Sequence, residues 1–399
     1  MERFSGKDWI KIDIANAYGK DKLTWKERLE WFENNKNNLS NFEPDEPARA
    51  YAGIKALDQV ERNEPIGFMV ALDATSSFAQ MQGLLLGERM ACYLSNVIGS
   101  EKRQDLYTYL YKKLTDKIVN CPKNITRAAI KQVIMQFFYG GEKTPKSILG
   151  EDIFNKFLEV MKEELPLCFG LRQYLIKHWN PMTDTYKWVL PDNFHVALEV
   201  EKKFTKNFIF KGKLFNFSYK EKSPTPTGKS LGPNFIHSVD GFILREMVAR
   251  CMFNQKKIDA LRKAQYSKPK VLNLSGKTLK DYKTINTLLE LGKASGYYSI
   301  RLLDFITPDN RVLVPENILN EMLDSLPRKS FELGTIHDCY LCHPNYMNDV
   351  KEQYRHCLIN LSKSNLLEFI FKQIFSDSFT YTKPEDLTEL VKKEEYAIC

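Results

Sequence analysis

The sequence predicts an α+β fold, because stretches of helical hydrophobic periodicity alternate with a few short apolar runs typical of strands. Helical patterns occupy 25–38, 78–97, 101–119, 124–139, 151–164, 235–252 and most of the chain after 350. Strand patterns occupy 66–72, 188–219, 297–304 and 333–341, the last of these being a tight hairpin around His337 and Asp338. With 399 residues, the chain is long enough for two or three lobes.

Composition narrows the class of protein further. Lys and Arg total 58 against 50 Asp and Glu, a net charge of +8 that suits a polyanionic partner. The eight cysteines are too sparse for a disulfide scaffold. The first residues are charged, and no apolar run is long enough to span a bilayer. We therefore expect a protein of a reducing compartment, the cytoplasm, with no membrane partner.

Two aspartates stand out because each follows a predicted strand. Asp73 ends the run from Phe68 to Leu72, and Asp338 follows the run from Leu333 to His337. A carboxylate at the end of a buried strand is costly unless it is paired or bound to a metal. Two such groups on neighbouring strands could hold two Mg²⁺ ions for an in-line phosphoryl displacement. Taken singly, each aspartate also fits an ordinary turn at the end of a strand.

The predicted helix at 124–139 carries a second candidate group. Arg127 and Lys131 are four residues apart and share a helical face, where two cations can clamp a triphosphate. Tyr139 lies two turns beyond Lys131, and Gly140 is a natural residue to end the helix. A solvated basic stripe on a helix with an apolar back is the alternative interpretation.

Six segments together resemble the single-subunit RNA polymerases of bacteriophages and mitochondria, and they occur in that family's order. They are 10–16 (IKIDIAN), 73–80 (DATSSFAQ), the R-x3-K-x7-Y-G pattern at 127–140, 188–194 (WVLPDNF), 233–241 (PNFIHSVDG) and His337-Asp338. The segments cover most of residues 9–250 and 331–350. The resemblance implies a DNA-dependent RNA polymerase, a nucleotidyltransferase that adds NTPs to an RNA 3′-hydroxyl on a DNA template.

The resemblance also implies a role for each matched residue. Asp73 and Asp338 would bind the two Mg²⁺ ions, and His337 would support the hairpin between them. Arg127 and Lys131 would bind the incoming triphosphate, with Lys11 as a further contact.

Sugar selection is implied by the same matches. Tyr139 and His237 would sense the ribose 2′-hydroxyl, and buried polar groups left unpaired would reject the deoxy analogue. Gly140 would support the end of the helix that carries Tyr139.

The implied architecture is a right-hand polymerase. Residues 1–100 would form the first part of the palm with the segment that opens the chain, 101–237 the fingers, and 238–399 the second part of the palm. Residues at about 253–330 would be an insertion, because the segments around His237 and His337 lie closer together in relatives. The family's DxxGR segment, thumb and N-terminal domain are not found, so we expect a second polymerase subunit to supply them, in a phage-infected host cell.

Several alternatives stay open at this point. A DNA polymerase or primase-like relative, or a non-catalytic nucleic-acid-binding subunit, shares part of the pattern. Cys339-x-x-Cys342-His343 also fits haem attachment or, with His356 and Cys357, a zinc site. Residues 227–230 (TGKS) imitate the end of a P-loop but lack its first glycine. The tyrosines at 107, 109 and 111 are interpreted as ordinary packing residues.

Overall fold

The computed structural model describes residues 2–100, 102–138, 141–226, 228, 230–265 and 277–399. The α-helices are α1 Gly6–Ala15, α2 Trp25–Asn35, α3 Pro47–Glu61, α4 Ser77–Leu86, α5 Arg89–Leu94, α6 Leu106–Asp116, α7 Arg127–Phe138, α8 Lys143–Leu149, α9 Glu151–Glu164, α10 Pro166–Lys177, α11 Leu231–Cys251, α12 Gln255–Ala264, α13 Lys277–Ser295, α14 Glu316–Ser325, α15 Met347–Lys363, α16 Leu366–Ile374 and α17 Thr388–Val391. The strands are β1 Val70–Asp73, β2 Thr185–Val189, β3 His195–Glu199, β4 Glu201–Phe210, β5 Lys213–Lys222, β6 Leu333–Ile336 and β7 Cys339–Cys342. This mixture of helix and sheet agrees with the predicted α+β class.

The three-stranded sheet joins distant parts of the chain. Its order is β1-β7-β6, with both pairs antiparallel, so β7 is the central strand. Asp73 lies opposite Cys339 in the first pair, and Ile336 lies opposite Cys339 in the second. The predicted hairpin at 333–341 is therefore confirmed, and its turn consists of His337 and Asp338.

Local signals explain where several helices begin and end. Ser5 with Asp8 and Thr24 with Glu27 form reciprocal capping boxes at the starts of α1 and α2. The helix predicted at 78–97 is instead two helices, because Gly87 adopts a left-handed backbone (φ 70°) that ends α4. A side chain at Gly87 would also lie 2.8 Å from the carbonyl oxygen of Glu385, so the break depends on glycine.

The strand predicted at 297–304 is wrong. Ile300–Asp304 forms a 3₁₀-helix, which begins after Ser299 because the Ser299 hydroxyl accepts a hydrogen bond from the backbone of Arg301. The buried Glu246 carboxylate also accepts hydrogen bonds from the Ser299 hydroxyl and from the backbone N–H of Ile300. These side-chain bonds satisfy backbone donors that a strand would have paired with a neighbour.

Among the described residues, buried apolar side chains form two separate clusters. The larger one includes both the three-stranded sheet and the helices α6 to α10. The smaller one contains only side chains between Phe253 and Leu326, which coincide with the predicted insertion. These residues therefore have a small core of their own, and the insertion itself stays a prediction. None of the described helices combines the length and the apolar character that a bilayer span requires.

Candidate active site

The three-stranded sheet brings the two predicted metal-binding aspartates to one cavity. Asp73 is the last residue of β1, and Asp338 belongs to the β6–β7 turn. The backbone N–H of Ala74 donates to the carbonyl oxygen of Asp338 at 3.1 Å, which holds the two segments together. Both aspartates line a cavity of about 280 Å³. Residues 265 positions apart in the sequence thus face the same space.

The two carboxylates repel one another in this cavity. Desolvation, followed by the charge of Asp338, raises the pKa of Asp73 to about 6, and Lys131 opposes the rise. In the described part of the chain, neither aspartate forms an ion pair within 4 Å. A divalent cation would relieve this repulsion.

No group of three or more His, Cys, Asp or Glu side chains arranged for a metal is found among the described residues. Two carboxylates are nevertheless the usual protein share of a Mg²⁺ site, in which waters and substrate phosphates supply the other ligands. The donor set of Asp73 and Asp338 therefore fits Mg²⁺ better than zinc, which prefers four protein side chains.

Helix α7 supplies the opposite, basic wall of the same cavity. Arg127 and Lys131 both line it. The Arg127 guanidinium donates to Asp105 from Nε at 3.1 Å and from Nη2 at 2.5 Å, and to Thr108 at 2.8 Å. The ammonium of Lys131 lies 5.3 Å from the ring centroid of Tyr107. Lys131 forms no ion pair among the residues described, so its charge is available to a phosphate.

Tyr107 is a site residue that the sequence analysis missed. Its ring is 7% exposed and lies beneath the cations of Arg127 and Lys131, at 5.9 and 5.3 Å. Its hydroxyl lies 3.4 Å from Ser76, three residues after Asp73. Helical spacing gave no signal for this role, because the contacts come from other segments of the chain. Desolvation raises the pKa of Tyr107, and the charges of Asp338 and Asp105 add to the rise, whereas the Ser76 hydrogen bond and the charge of Arg127 oppose it.

A second cavity of about 490 Å³ adjoins the first and shares Asp338 with it. His237, Asp240 and His337 line it. Burial and the neighbouring His337 lower the pKa of His237, so this imidazole is neutral at neutral pH. Burial and the charge of Asp338 raise the pKa of Asp240 to about 7. His337 adopts a positive φ of 55° in the hairpin turn, a conformation that histidine tolerates better than most residues.

Buried hydrogen bonds fix the backbone around Asp73. The amide of Gln80 donates to the carbonyl oxygens of Ala397 at 2.7 Å and Ser95 at 3.1 Å, and its oxygen accepts from the Tyr354 hydroxyl at 2.6 Å. Residues 397–399 run antiparallel beside 73–75, and the N–H of Cys399 donates to the carbonyl oxygen of Asp73 at 2.9 Å. Asp73 is therefore held between β7 on one side and residues 397–399 on the other.

One predicted site residue lies outside both cavities, and two lie outside the described residues. Lys11 lines neither cavity and is ion-paired with Glu33. Tyr139 and Gly140 lie outside the described residues, so their predicted roles stay predictions.

The competing motifs gain no support. Cys339 and Cys342 are three residues apart on strand β7, so their side chains leave opposite faces. The nitrogen Nδ1 of His343 accepts a hydrogen bond from the backbone of Asn345. Of the P-loop-like residues 227–230, Thr227 and Lys229 lie outside the described part.

A second basic surface lies on the hairpin formed by β4 and β5. Six aromatic side chains share one face of it, by the two-residue alternation of the paired strands: Phe204, Phe208, Phe210, Phe215, Phe217 and Tyr219. We call this surface the aromatic face. Phe208 stacks on Phe215 across the strands at 5.6 Å, although they are 53% and 44% exposed. The hairpin carries seven lysines and two glutamates between residues 201 and 222.

Comparison with known proteins adds an independent observation. The family model described as DNA-dependent RNA polymerase matches residues 4–179. This part of the chain is similar to the DNA-dependent RNA polymerases. The match includes Asp73, Arg127 and Lys131, and the predicted resemblance to the phage and mitochondrial type is confirmed.

Two curated relatives agree with this family. A protein of Neurospora crassa named "Probable DNA-directed RNA polymerase" is 27% identical over 186 residues, which are 41% of this chain and 20% of that protein. A protein of Agaricus bitorquis with the same name is 25% identical over 310 residues, which are 59% of this chain and 28% of that protein. The chain thus spans only between a fifth and three tenths of the length of these relatives.

Proposed function

We propose that this chain is the catalytic part of a DNA-dependent RNA polymerase that adds NTPs to an RNA 3′-hydroxyl. The observation that carries the proposal is the shared cavity, in which Asp73 and Asp338 face Arg127 and Lys131. Two carboxylates opposite two cations suit a metal-bound triphosphate, whose metals and phosphates have complementary charges. The family match over residues 4–179 supports the same reaction class.

Each side of the cavity has a distinct task in this proposal. Asp73 and Asp338 would hold two Mg²⁺ ions, and these ions would supply charge stabilisation to the oxygens that change bonding in the displacement. Lys131, which has no carboxylate partner within 4 Å in the described part of the chain, donates to the triphosphate and to the departing pyrophosphate. Arg127 is kept in place by Asp105 and Thr108 and adds a second positive charge. Catalysis is then mainly positioning and charge stabilisation.

Sugar recognition is assigned to the adjoining cavity. The imidazole of His237 is kept neutral by burial and by His337, so it can exchange hydrogen bonds with a hydroxyl without carrying charge. A neutral hydrogen-bonding group rejects a sugar that lacks the matching hydroxyl, because its buried polar atoms lose a partner. We propose that His237, with Tyr139, selects ribose.

The aromatic face is proposed to contact nucleic acid. Exposed aromatic rings offer stacking surfaces to bases, and the interleaved lysines attract the phosphate backbone. The ammonium of Lys206 lies 5.4 Å from the ring of Tyr219, so cation and stacking surface are adjacent. In the chain, the hairpin follows β3 and precedes α11, the helix that contains His237.

A primed extension assay tests the proposed reaction. An RNA primer on a DNA template would be incubated with the purified chain, and with any protein that co-purifies, in Mg²⁺ or in EDTA. The expected result is Mg²⁺-dependent extension with NTPs and much less with dNTPs. Preference for dNTPs would instead identify a DNA polymerase relative. Template binding without incorporation under all conditions would identify a non-catalytic binding subunit.

The predicted second subunit stays a prediction. Co-expression with neighbouring genes, followed by size-exclusion chromatography and the same extension assay, measures whether another polypeptide raises activity. Processive synthesis by the 399-residue chain alone would contradict this expectation.

A further inference from the structure

A large cavity lies where the inserted unit meets the palm. It has a volume of about 620 Å³, within the range of small-molecule sites. The inserted unit contributes the turn at 296–300 and helix α14, and helices α11 and α15 contribute the other wall. None of its lining residues lines the cavity that holds Asp73 and Asp338. The two spaces are therefore separate sites.

Arg250 gives this cavity an incompletely satisfied positive charge. The residue is 2% exposed, and its two terminal nitrogens donate to the Ser325 hydroxyl at 2.8 and 3.3 Å. Its Nε is buried and has no hydrogen-bond partner among the described residues. Leaving a charged donor unpaired in the interior costs free energy, so such a group favours an anionic ligand.

The carboxylate of Glu246 is the candidate counter-charge for Arg250, but its oxygens already accept other hydrogen bonds. Glu246 accepts hydrogen bonds from Ser299 and from the backbone of Ile300. Burial raises the pKa of Glu246 to about 7, so near neutral pH it carries only part of a negative charge. Arg250 therefore keeps positive charge that the protein around it does not fully offset.

Helix α15 adds further basic groups to the same wall. His356 and Lys363 line the cavity, and Lys363 is exposed, with no ion pair in the part of the chain that the structure describes. Burial, and then the charges of Arg250, Arg355 and Lys363, lower the pKa of His356 to about 4. Three cations therefore lie near the His356 imidazole. The neutral imidazole can still donate one hydrogen bond.

The facing wall has the opposite character. Glu321 and Asp324 on α14 are exposed and line the cavity, together with Tyr298. A ligand that carried anionic charge throughout would be repelled by this wall. A molecule with phosphate at one end and an uncharged, hydrogen-bonding ring at the other satisfies both walls.

We propose that the cavity between the inserted unit and the palm binds a phosphate-bearing small molecule, with its phosphates on Arg250, His356 and Lys363. A nucleotide and a free polyphosphate share this chemistry, and the acidic wall favours the nucleotide. Because α14 and α15 belong to different cores, a ligand here bridges the inserted unit to the palm and stabilises their contact.

Lysine acylation, read by mass spectrometry on the full chain, tests this site directly. The reaction is run in EDTA with ATP, inorganic tripolyphosphate or adenosine as the added probe. We expect ATP and tripolyphosphate to slow modification of Lys363 several-fold and adenosine to leave it unchanged. Lys123, an exposed lysine outside both cavities, is the matched control. Lys131 reports the catalytic cavity in the same spectra, so the two sites are read independently.

Calorimetry provides the second arm. In an Arg127→Gln/Lys131→Gln background, which weakens the catalytic cavity, ATP should still bind, and adding Lys363→Gln should lower the affinity several-fold. Adding Lys123→Gln should not. Tighter binding of ATP than of tripolyphosphate identifies a nucleotide site, and equal binding identifies a polyphosphate site. Unprotected Lys363, or an affinity that Lys363→Gln leaves unchanged, overturns the proposal.

Discussion

Two antiparallel hairpins, β6–β7 and β4–β5, show how the same backbone arrangement supports different tasks. The strands of the first are four residues long, and β7 is the central strand of a sheet packed on the main core. The strands of the second are ten residues long and form a separate two-stranded sheet. Tyr340 in the first is 2% exposed, whereas Phe217 in the second is 57% exposed.

The difference lies in what fixes each hairpin. The short hairpin pairs with β1 along β7 and packs on the main core, so the register that sets Asp73 opposite Cys339 is determined by burial. The long hairpin is held mainly by its own cross-strand pairs, such as Phe208 with Phe215. The first is suited to placing atoms for chemistry. The second presents side chains to a partner, so we expect its substitutions to affect binding and not the chemical step.

The largest expected effect comes from the carboxylates of the short hairpin and of β1. Asp73→Asn or Asp338→Asn should lower extension by more than about 100-fold, because charge stabilisation by bound metals is worth several kcal/mol. Template affinity should stay near that of the wild type. Incorporation and template binding would be measured in parallel, with the exposed Asp377→Asn as the control. Substantial turnover in either variant would contradict the metal-binding assignment.

A smaller loss is expected on the opposite wall of the cavity. Lys131→Gln should raise the KM for NTP and lower kcat, with kcat/KM reduced by about 10- to 100-fold, as for loss of a charge-assisted hydrogen bond. Steady-state kinetics on a primed template measure both constants. Lys123→Gln is the matched change on an exposed loop. A normal KM in Lys131→Gln would exclude a contact with the triphosphate.

The repulsion between the two aspartates predicts a pH dependence. The pKa of Asp73 is raised to about 6, so below this pH a proton competes with Mg²⁺ for the carboxylate. The Mg²⁺ concentration for half-maximal extension should be constant above pH 7 and rise by about tenfold per pH unit below 6. Magnesium titrations between pH 5 and 8 measure this. A flat profile would show that Asp73 does not bind the metal.

The same raised pKa has a consequence for stability without metal. Because the folded state holds the Asp73 proton more tightly than the unfolded state, this group's contribution falls as pH rises from about 4 to about 6. In EDTA at pH 8, Asp73→Asn should therefore melt at a slightly higher temperature than the wild type. A lower Tm would show that the Asp73 carboxylate has a stabilising partner.

The smallest effects should come from the aromatic face. Phe217→Ser should weaken template binding by about fivefold, since one stacking contact is worth about 1 kcal/mol or more, while kcat on saturating template is unchanged. Ile209→Ser alters an exposed residue on the other face of the hairpin and is the matched control. A fall in kcat with unchanged binding would reverse the roles assigned to the two hairpins.

Much of the site was predictable because its signals are local. A short apolar run ending in Asp73, a hairpin around Asp338 and the i, i+4 spacing of Arg127 and Lys131 can each be recognised within a few residues. The place of Tyr107 in the site could not be predicted in this way, because it depends on the cations of α7 that pack over the Tyr107 ring. The role of Lys11 stays a prediction, and the motif match gave no indication of its ion pair with Glu33.

The same distinction applies to the fold. Hydrophobic periodicity predicted many of the helices, whereas the 3₁₀-helix at Ile300–Asp304 depends on the distant Glu246. The pairing of 73–75 with 397–399 is likewise a contact between distant segments, with no short-range pattern to predict it.

Localised metal mapping tests the central claim most directly. Fe²⁺ substituted for Mg²⁺ reduces added hydrogen peroxide to hydroxyl radicals, which cleave the backbone near the ligands of the metal, and mass spectrometry locates the cuts. Cleavage should occur near both residue 73 and residue 338, should be suppressed by excess Mg²⁺, and should be lost in Asp73→Asn and Asp338→Asn but kept in Asp377→Asn. Cleavage confined to other positions, or unchanged in the two active-site variants, would contradict a metal site shared by these two strands.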